Sequence, residues 1–273
     1  MVPVPEKLQR LESLLKEMGT VLVAFSGGTD SSLLLWAAHR TLGNRAMGVT
    51  ADSVTLPRKE LEEAIEFARR IGARHRVIST DEMSNPNFAS NPPNRCYFCK
   101  GELFTKLREV AREENLDTIV DGFNLDDQGD FRPGMQAARD LGVKSPLKEA
   151  GLTKIEIREL SRWAGLPTWD KPSAACLSSR FPYGHAITHE KLSVVEKAEA
   201  LVRSLGIRQL RVRHHGDAAR IEISPQDISK LLAHREALVV QLKALGFTYI
   251  TLDLEGFRSG SMNEVLQVKP AGA

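Results

Sequence analysis

Two features of this sequence have the residue types and spacing for chemistry: a small-residue loop and three cysteines. The loop is 26-SGGTDSS-32, set between the apolar run 21-VLVAF-25 and a second run, LLLWAAHR. A strand, a Ser/Gly-rich turn and a helix in that order aim backbone N–H groups and a positive helix end at one point, which favours phosphate. The glycines allow close backbone approach, and the hydroxyls add donors. The stretch lacks the Gly-Lys-Ser/Thr ending of a Walker A loop and does not fit the G-x-G-x-x-G dinucleotide pattern. The cysteines are the pair in 96-CYFC-99 and the lone Cys176 in KPSAACLSSR. Three thiols with a histidine could close a zinc site. Cys96 and Cys99 could form a redox disulfide. All three could instead ligate three irons of a [4Fe–4S] cluster and leave the fourth iron open. Inert buried thiols are the reading without chemistry.

Two further groups bear charge. The stretch 121-DGFNLDDQGDFRPG-134 holds four carboxylates, Asp121, Asp126, Asp127 and Asp130. Such oxygens suit Mg²⁺, although a solvated acidic loop would look the same. Arginine's planar fork suits phosphate through paired, charge-assisted hydrogen bonds. Arg211 and Arg213 alternate along a candidate strand and so share one face. Nothing in the sequence ranks one above the other.

The elements that must position these residues follow from apolar periodicity. From Val21 to about Ser145 strands alternate with helices. Strands are expected at VLVAF, RAMGVTAD, RHRVISTD and DTIVDG, and helices over Ser31–Leu42, Pro57–Ile71 and Lys100–Glu114. That order predicts an α/β fold, a parallel sheet with helices on both faces, whose ligands bind beyond the carboxyl ends of the strands. SGGTDSS and the stretches starting at Asp52 and Asp121 all lie at such ends. After Ala150 the pattern changes. A helix over Lys154–Trp163 leads to the Pro/Ser/Ala-rich loop LPTWDKPSAACLSSRFPYG. Helices over Glu190–Leu205 and Pro225–Leu245 then interleave with strands over Gln209–His214, Ala219–Ile223 and Tyr249–Leu254. This reads as a smaller α+β domain, with the boundary between domains 1–150 and 151–273. Trp36 and Trp163 are expected in the core. Trp169 could cover the cysteine loop or pack inside. His214 and His215 read as a polar turn before Gly216 rather than a metal pair.

The chain has 273 residues, of which 42% are hydrophobic, enough for one large or two ordinary packed domains. No apolar run reaches the ~18 residues of a membrane span, and the N-terminus reads as a charged amphipathic helix rather than a signal peptide. An odd cysteine count fits a reducing compartment, so a cytoplasmic protein is expected. The net charge of +2 is too mild to argue for nucleic acid.

SGGTDSS resembles the SGGxDS signature of the PP-loop ATP pyrophosphatases. These enzymes join AMP to a substrate oxygen, release pyrophosphate, and let a nucleophile displace AMP. The resemblance implies that Ser26, Gly27, Gly28, Asp30, Ser31 and Ser32 hold the pyrophosphate part of ATP, with Asp30 serving the loop or Mg²⁺. It also implies that Ala24, Phe25, Thr50, Asp52 and Ser53 flank the nucleotide, together with Gly122 and Asp126 of the second conserved region. Over nearly the whole chain SGGTDSS, DDQGDFRPG, KPSAACLSSRFPYG, LRVRHHGDAARIEI and GFRSGSMNE resemble the ATP-dependent sulfur transferases that build the nickel-pincer nucleotide, the cofactor of lactate racemase. That family's substrate is pyridinium-3,5-biscarboxylic acid mononucleotide, whose carboxylates are adenylated and then thiolated. The resemblance implies that Ser179, Arg180, Arg211, Arg213 and Arg258 bind the substrate phosphate and that Glu199 is a metal-binding position. In one branch the cysteine matching Cys176 gives up its sulfur and becomes dehydroalanine. In another, three cysteines hold a [4Fe–4S] cluster that carries an extra sulfide. Cys96 and Cys99 place this sequence with the second branch, and the sacrificial route is its rival.

The resemblance further implies a small-molecule nucleotide substrate, a homo-oligomer, and either a sulfide source or a downstream nickel-inserting protein as partner. A tRNA-thiolating PP-loop enzyme should carry a strong basic patch, which this sequence lacks. An amidotransferase-type synthetase would need a glutaminase domain that does not fit in the length. A non-enzymatic nucleotide-binding protein would have no use for C-x-x-C with Cys176.

Overall fold

The computed structural model describes residues 4–129, 133–172, 175–258 and 260–267. Asp130 of the acidic stretch lies outside them. The chain divides into two compact units, residues 1–88 with 94–174, and residues 89–93 with 175–273. By contacts, then, the segment from 151 to 172 packs with the first unit.

The first unit is built on four parallel strands, β1 (Val21–Ala24), β2 (Ala46–Asp52), β3 (Arg74–Ser79) and β4 (Thr118–Val120), in the order β3-β2-β1-β4. Alternation along β1 sets up two cores. Val21 and Val23 face one side, where they meet α1 (Val4–Met18), α2 (Thr29–Leu42), α3 (Arg58–Arg70) and a later helix over Lys154–Trp163. Leu22 faces the other side with Met47 and Val49, against Phe104, Leu107 and Val110 of α5 (Arg95–Glu113). Single-turn α4 (Pro86–Ala89) precedes α5. After β4 come α6 (Pro133–Asp140), single-turn α7 (Pro146–Glu149) and α8 (Lys154–Trp163). Helices therefore cover both faces of the parallel sheet, and every strand ends at the same edge.

Three details depart from the sequence reading. α5 starts at Arg95, five residues before the expected Lys100, so Cys96 and Cys99 lie in its first two turns. Trp163 is 67% exposed. The buried face of α8 runs through Ile157, Leu160 and Ser161, and Trp163 falls outside it, meeting Trp36 edge-on at 6.4 Å. Trp36 itself packs half-buried against the core. Trp169 is partly exposed, with the Arg162 guanidinium 5.2 Å over its ring.

The second unit holds a mixed sheet of β5 (Leu210–His215), β6 (Ala218–Ile223) and β7 (Tyr249–Leu252). β5 and β6 are antiparallel, and β6 and β7 parallel. Its core lies between this sheet and α9 (His189–Ser204), α10 (Ile228–Ala233) and α11 (Arg235–Ala244). The expected single helix over Pro225–Leu245 is thus broken. His234, at φ −110° and ψ 13°, leaves helical geometry and separates α10 from α11. Single-turn α12 (Glu264–Gln267) follows β7. His214 and His215 end β5 rather than forming a turn, and the His214 ring lies 5.4 Å from both Phe181 and Phe247. Among the described residues no helix is long and apolar enough to cross a membrane.

Candidate active site

At the carboxyl end of β1 the chain turns through Ser26 and Gly27 into α2. Gly27 has φ +71°, and a Cβ there would sit 2.9 Å from the Ala64 Cβ on α3, so only glycine fits. Gly28 is the N-cap of α2 and brings no capping side chain, which leaves the helix entrance open. The Ser32 N–H bonds to the Gly28 carbonyl at 2.9 Å, the first bond of the helix, so the N–H groups just before it have no partner within the helix. Ser31 Oγ braces the loop. It accepts from the Ser26 N–H at 3.3 Å, lies 3.1 Å from Ser26 Oγ, and donates to the Gly28 carbonyl at 3.2 Å. Ser32 Oγ is buried and makes no hydrogen bond. An uncapped helix entrance of this kind favours an anion.

The flanking strand ends are tightly organised. Phe25 packs between Phe67 and His75, each 5.7 Å away. Thr50 Oγ1 donates to the Phe25 carbonyl at 2.8 Å and so accepts from His75 Nε2, also at 2.8 Å. Burial pushes the His75 pKa down. Asp52 pairs with Arg58. The Ser53 and Thr55 hydroxyls both bond to Glu82, which is 2% exposed. Thr50, Asp52 and Ser53 thus meet at the end of β2 as expected, with their polar atoms engaged within the protein.

Across β1, Gly122 follows β4 so closely that a Cβ would approach Ser31 N to 3.1 Å. This contact holds the acidic stretch against the loop. Asp30 pairs with Lys154 and takes a long 3.4 Å bond from Asn124. Asp126 accepts the Lys154 backbone N–H at 2.8 Å, and Asp127 accepts the Asn124 N–H at 3.0 Å. Asp121 is buried. Its Oδ1 accepts from Ser145 and the Phe123 N–H, whereas its Oδ2 has no partner, and burial pushes its pKa up. Sequence reasoning missed Lys154 and Glu82, which make no motif of their own, and Asn124, which lies inside a stretch noticed for its carboxylates. It also missed Lys171, which lies inside a motif noticed for its cysteine.

In the second unit, Cys176 precedes a short turn over Leu177–Arg180, with Sγ 2.9 Å from Ser178 Oγ. Arg180 clamps this turn. It donates to Glu199 at 2.7 and 3.1 Å, to the Ala175 and Cys176 carbonyls at 3.0 and 3.2 Å, and to Ser179 Oγ at 2.8 Å. Glu199 also accepts the Val212 N–H at 3.1 Å, so both its oxygens are engaged by protein donors. Arg213 binds Glu222 in a paired fork at 2.9 and 2.8 Å, and also reaches the Ser179 carbonyl and Ser261 Oγ. Arg211 is different. It lies 4.5 Å over the Phe257 ring and gives one hydrogen bond, to the Arg258 carbonyl at 3.2 Å. Burial, with Arg213 and Arg180 nearby, lowers its pKa to about 10. Arg258 is held by Asp253, Glu255 and Glu264. Four of the expected arginines therefore gather here, and among the described residues Arg211 is the one of them without a carboxylate partner.

None of the three cysteines is in a disulfide. Cys96 is exposed and Cys99 half-buried, one helical turn apart and hence on one face of α5. Among the described residues no group of three or more His, Cys, Asp or Glu side chains is disposed to hold a metal ion.

A parallel sheet whose central strand runs through Ser-Gly-Gly-Thr-Asp-Ser into an uncapped helix defines an ATP-dependent enzyme of the PP-loop pyrophosphatase class. Known proteins narrow the class. The chain is 46% identical over 262 residues to an uncharacterized protein of Synechocystis, covering 95% of this chain and 98% of that one. It is 38% identical over 267 residues to the pyridinium-3,5-bisthiocarboxylic acid mononucleotide synthase of Lactiplantibacillus plantarum, covering 97% of each. Similarity to a subunit of the glutamine-hydrolyzing GMP synthase of Archaeoglobus fulgidus is lower, 28% over 218 residues, covering 70% of this chain and 69% of that one. No family model matches the chain. The chain belongs to the family of the Lactiplantibacillus synthase, within the ATP-dependent sulfur transferases of the PP-loop class.

Proposed function

We propose that this enzyme adenylates the carboxylates of pyridinium-3,5-biscarboxylic acid mononucleotide and replaces the adenylate with sulfur to give the bisthiocarboxylic acid mononucleotide. A carboxylate resists nucleophiles because its leaving group is poor; joined to AMP it becomes reactive. In this reading the pyrophosphate part of ATP occupies the Ser26–Ser32 loop, and Ala24, Phe25, Thr50, Asp52, Ser53, Gly122 and Asp126 shape the surroundings of the nucleotide. Asp30 supplies a hard carboxylate oxygen of the kind Mg²⁺ takes beside phosphates. Among the described residues its Oδ1 has only the long contact from Asn124, which leaves it able to serve. Arg211 takes the substrate phosphate, within a frame set by Ser179, Arg180, Arg213 and Arg258.

One observation carries the reading: a chain matching that synthase over 97% of both lengths offers a buried guanidinium with no carboxylate partner among the described residues. A phosphate would supply the missing counter-charge.

The donor set suits a [4Fe–4S] cluster in kind. Cys96, Cys99 and Cys176 would supply three thiolates, and the cluster would bring the incoming sulfur on its open iron. A second reading draws support from the Cys176 turn. There the thiol lies beside the Ser178 hydroxyl and Arg180 holds the Cys176 carbonyl, all within one unit, a setting in which Cys176 would give its own sulfur.

Anaerobic purification and reconstitution, followed by iron and acid-labile sulfide assays, separates the two. About four of each per chain, lost in Cys96→Ala or Cys99→Ala, is the result expected for the cluster. Neither iron nor sulfide, with dehydroalanine appearing at position 176 during turnover, would establish the sacrificial route. Absence of biscarboxylate-dependent pyrophosphate release would overturn the function itself.

A further inference from the structure

Lys171 lies 144 residues from Gly27 in sequence, yet its ammonium donates to the Gly27 carbonyl at 3.1 Å. The same ammonium meets Glu60 at 2.7 Å and Glu63 at 2.8 Å, and the Lys171 side chain is only 13% exposed. Glu60 and Glu63 stand one turn apart on α3, on one face of the helix. Ala64 of the same helix presses against Gly27. Helix α3 therefore holds the loop twice, by direct packing and through the lysine.

The consequence follows from peptide geometry. The chain has no cis peptide bond among its described residues. In a planar trans peptide the carbonyl of one residue and the N–H of the next point in opposite directions. Fixing the Gly27 carbonyl therefore fixes the Gly28 N–H. Glycine at φ +71° has little of its own to hold that peptide plane, since it lacks the steric limits of a Cβ. A charge-assisted bond from a largely buried, doubly paired ammonium supplies the restraint. The Gly28 N–H, at the uncapped entrance of α2, makes no hydrogen bond with the described residues.

We propose that Lys171 is a positioning residue of the nucleotide loop: it holds the Gly27–Gly28 peptide so that the Gly28 N–H faces the pyrophosphate part of ATP, and Glu60 and Glu63 keep it in place. This rests on the reading of the loop as the pyrophosphate site. The lysine acts on the backbone and does not touch the nucleotide.

The test is calorimetric titration of the full-length protein, wild type, Lys171→Met and Lys171→Arg, with inorganic pyrophosphate and separately with AMP. In Lys171→Met, pyrophosphate affinity should fall about tenfold, as for the loss of one well-placed donor. AMP affinity should change by less than about twofold. Lys171→Arg keeps a charged donor and should recover most of the loss. In turnover, Lys171→Met should raise KM for ATP more than it lowers kcat, because the bond to pyrophosphate exists in ground and transition states alike. Unchanged pyrophosphate binding in Lys171→Met would overturn the inference. Equal loss of pyrophosphate and AMP would overturn it as well, by assigning Lys171 to the scaffold. A wild-type protein that binds AMP but not pyrophosphate would instead overturn the reading of the loop, and the inference with it.

Discussion

Glu222 lies directly opposite Arg211 in the β5–β6 ladder, but its carboxylate is bound by Arg213, two residues further along β5. Cross-strand diagonals are within reach of long side chains. Arg213 also binds Ser261 and the Ser179 carbonyl, so it is fully engaged. The ladder partner is thus diverted, and Arg211 is left over phenylalanine with a backbone carbonyl.

Arg213→Ala removes one half of an ion pair whose side chains are 1% and 0% exposed. Breaking such a pair typically costs about 3–5 kcal/mol, because the remaining charge stays buried without its partner. Arg220 still reaches Glu222 and should keep the loss near the lower figure. Urea unfolding of the variant beside the wild type reads this directly.

Arg211→Gln should behave in the opposite way. Its charge has no carboxylate partner and its pKa is already depressed to about 10, so the charged form is disfavoured by folding. Losing it should leave the fold as stable as the wild type or more so. Millimolar inorganic phosphate should raise the melting temperature of the wild type by mass action and leave that of Arg211→Gln unchanged. Thermal melts with and without phosphate decide the point.

Asp121 gives a pH signature. Burial raises its pKa, so the folded state binds the proton more tightly than the unfolded chain does. The contribution is fully present below the ordinary carboxylate pKa and is lost as pH rises through the folded value. At pH 8 the buried charge is a burden, and Asp121→Asn should therefore be more stable than wild type. The difference should shrink as pH falls toward about 4, where the wild-type carboxyl is protonated. Denaturation midpoints across this range should converge at the acid end.

Gly27→Ala places a methyl against Ala64 at 2.9 Å in a left-handed backbone. The backbone alone costs about 1–2 kcal/mol, and the clash adds to it. The variant should lose both stability and affinity for ATP, the second measured by nucleotide titration at a temperature where the fold persists.

The sequence by itself determined the alternation of strands and helices, since buried parallel strands are short apolar runs and their helices carry the 3.6-residue stripe. It also determined the loop, because Ser-Gly-Gly-Thr-Asp-Ser between two such runs has few other uses. Single elements were less legible. The helix carrying Cys96 begins earlier than its apolar stripe suggests, and the helix through His234 breaks where periodicity gives no sign. Trp163 has the size of a core residue but sits on the outer side of its helix. Tertiary structure alone decided the electrostatics. Lys171 reaches Gly27 across 144 residues, Lys154 reaches Asp30 across 124, and Arg213 rather than Arg211 takes Glu222. Spacing along a chain fixes which face a side chain takes; which charge meets which depends on elements brought together from far apart, and that is set by packing.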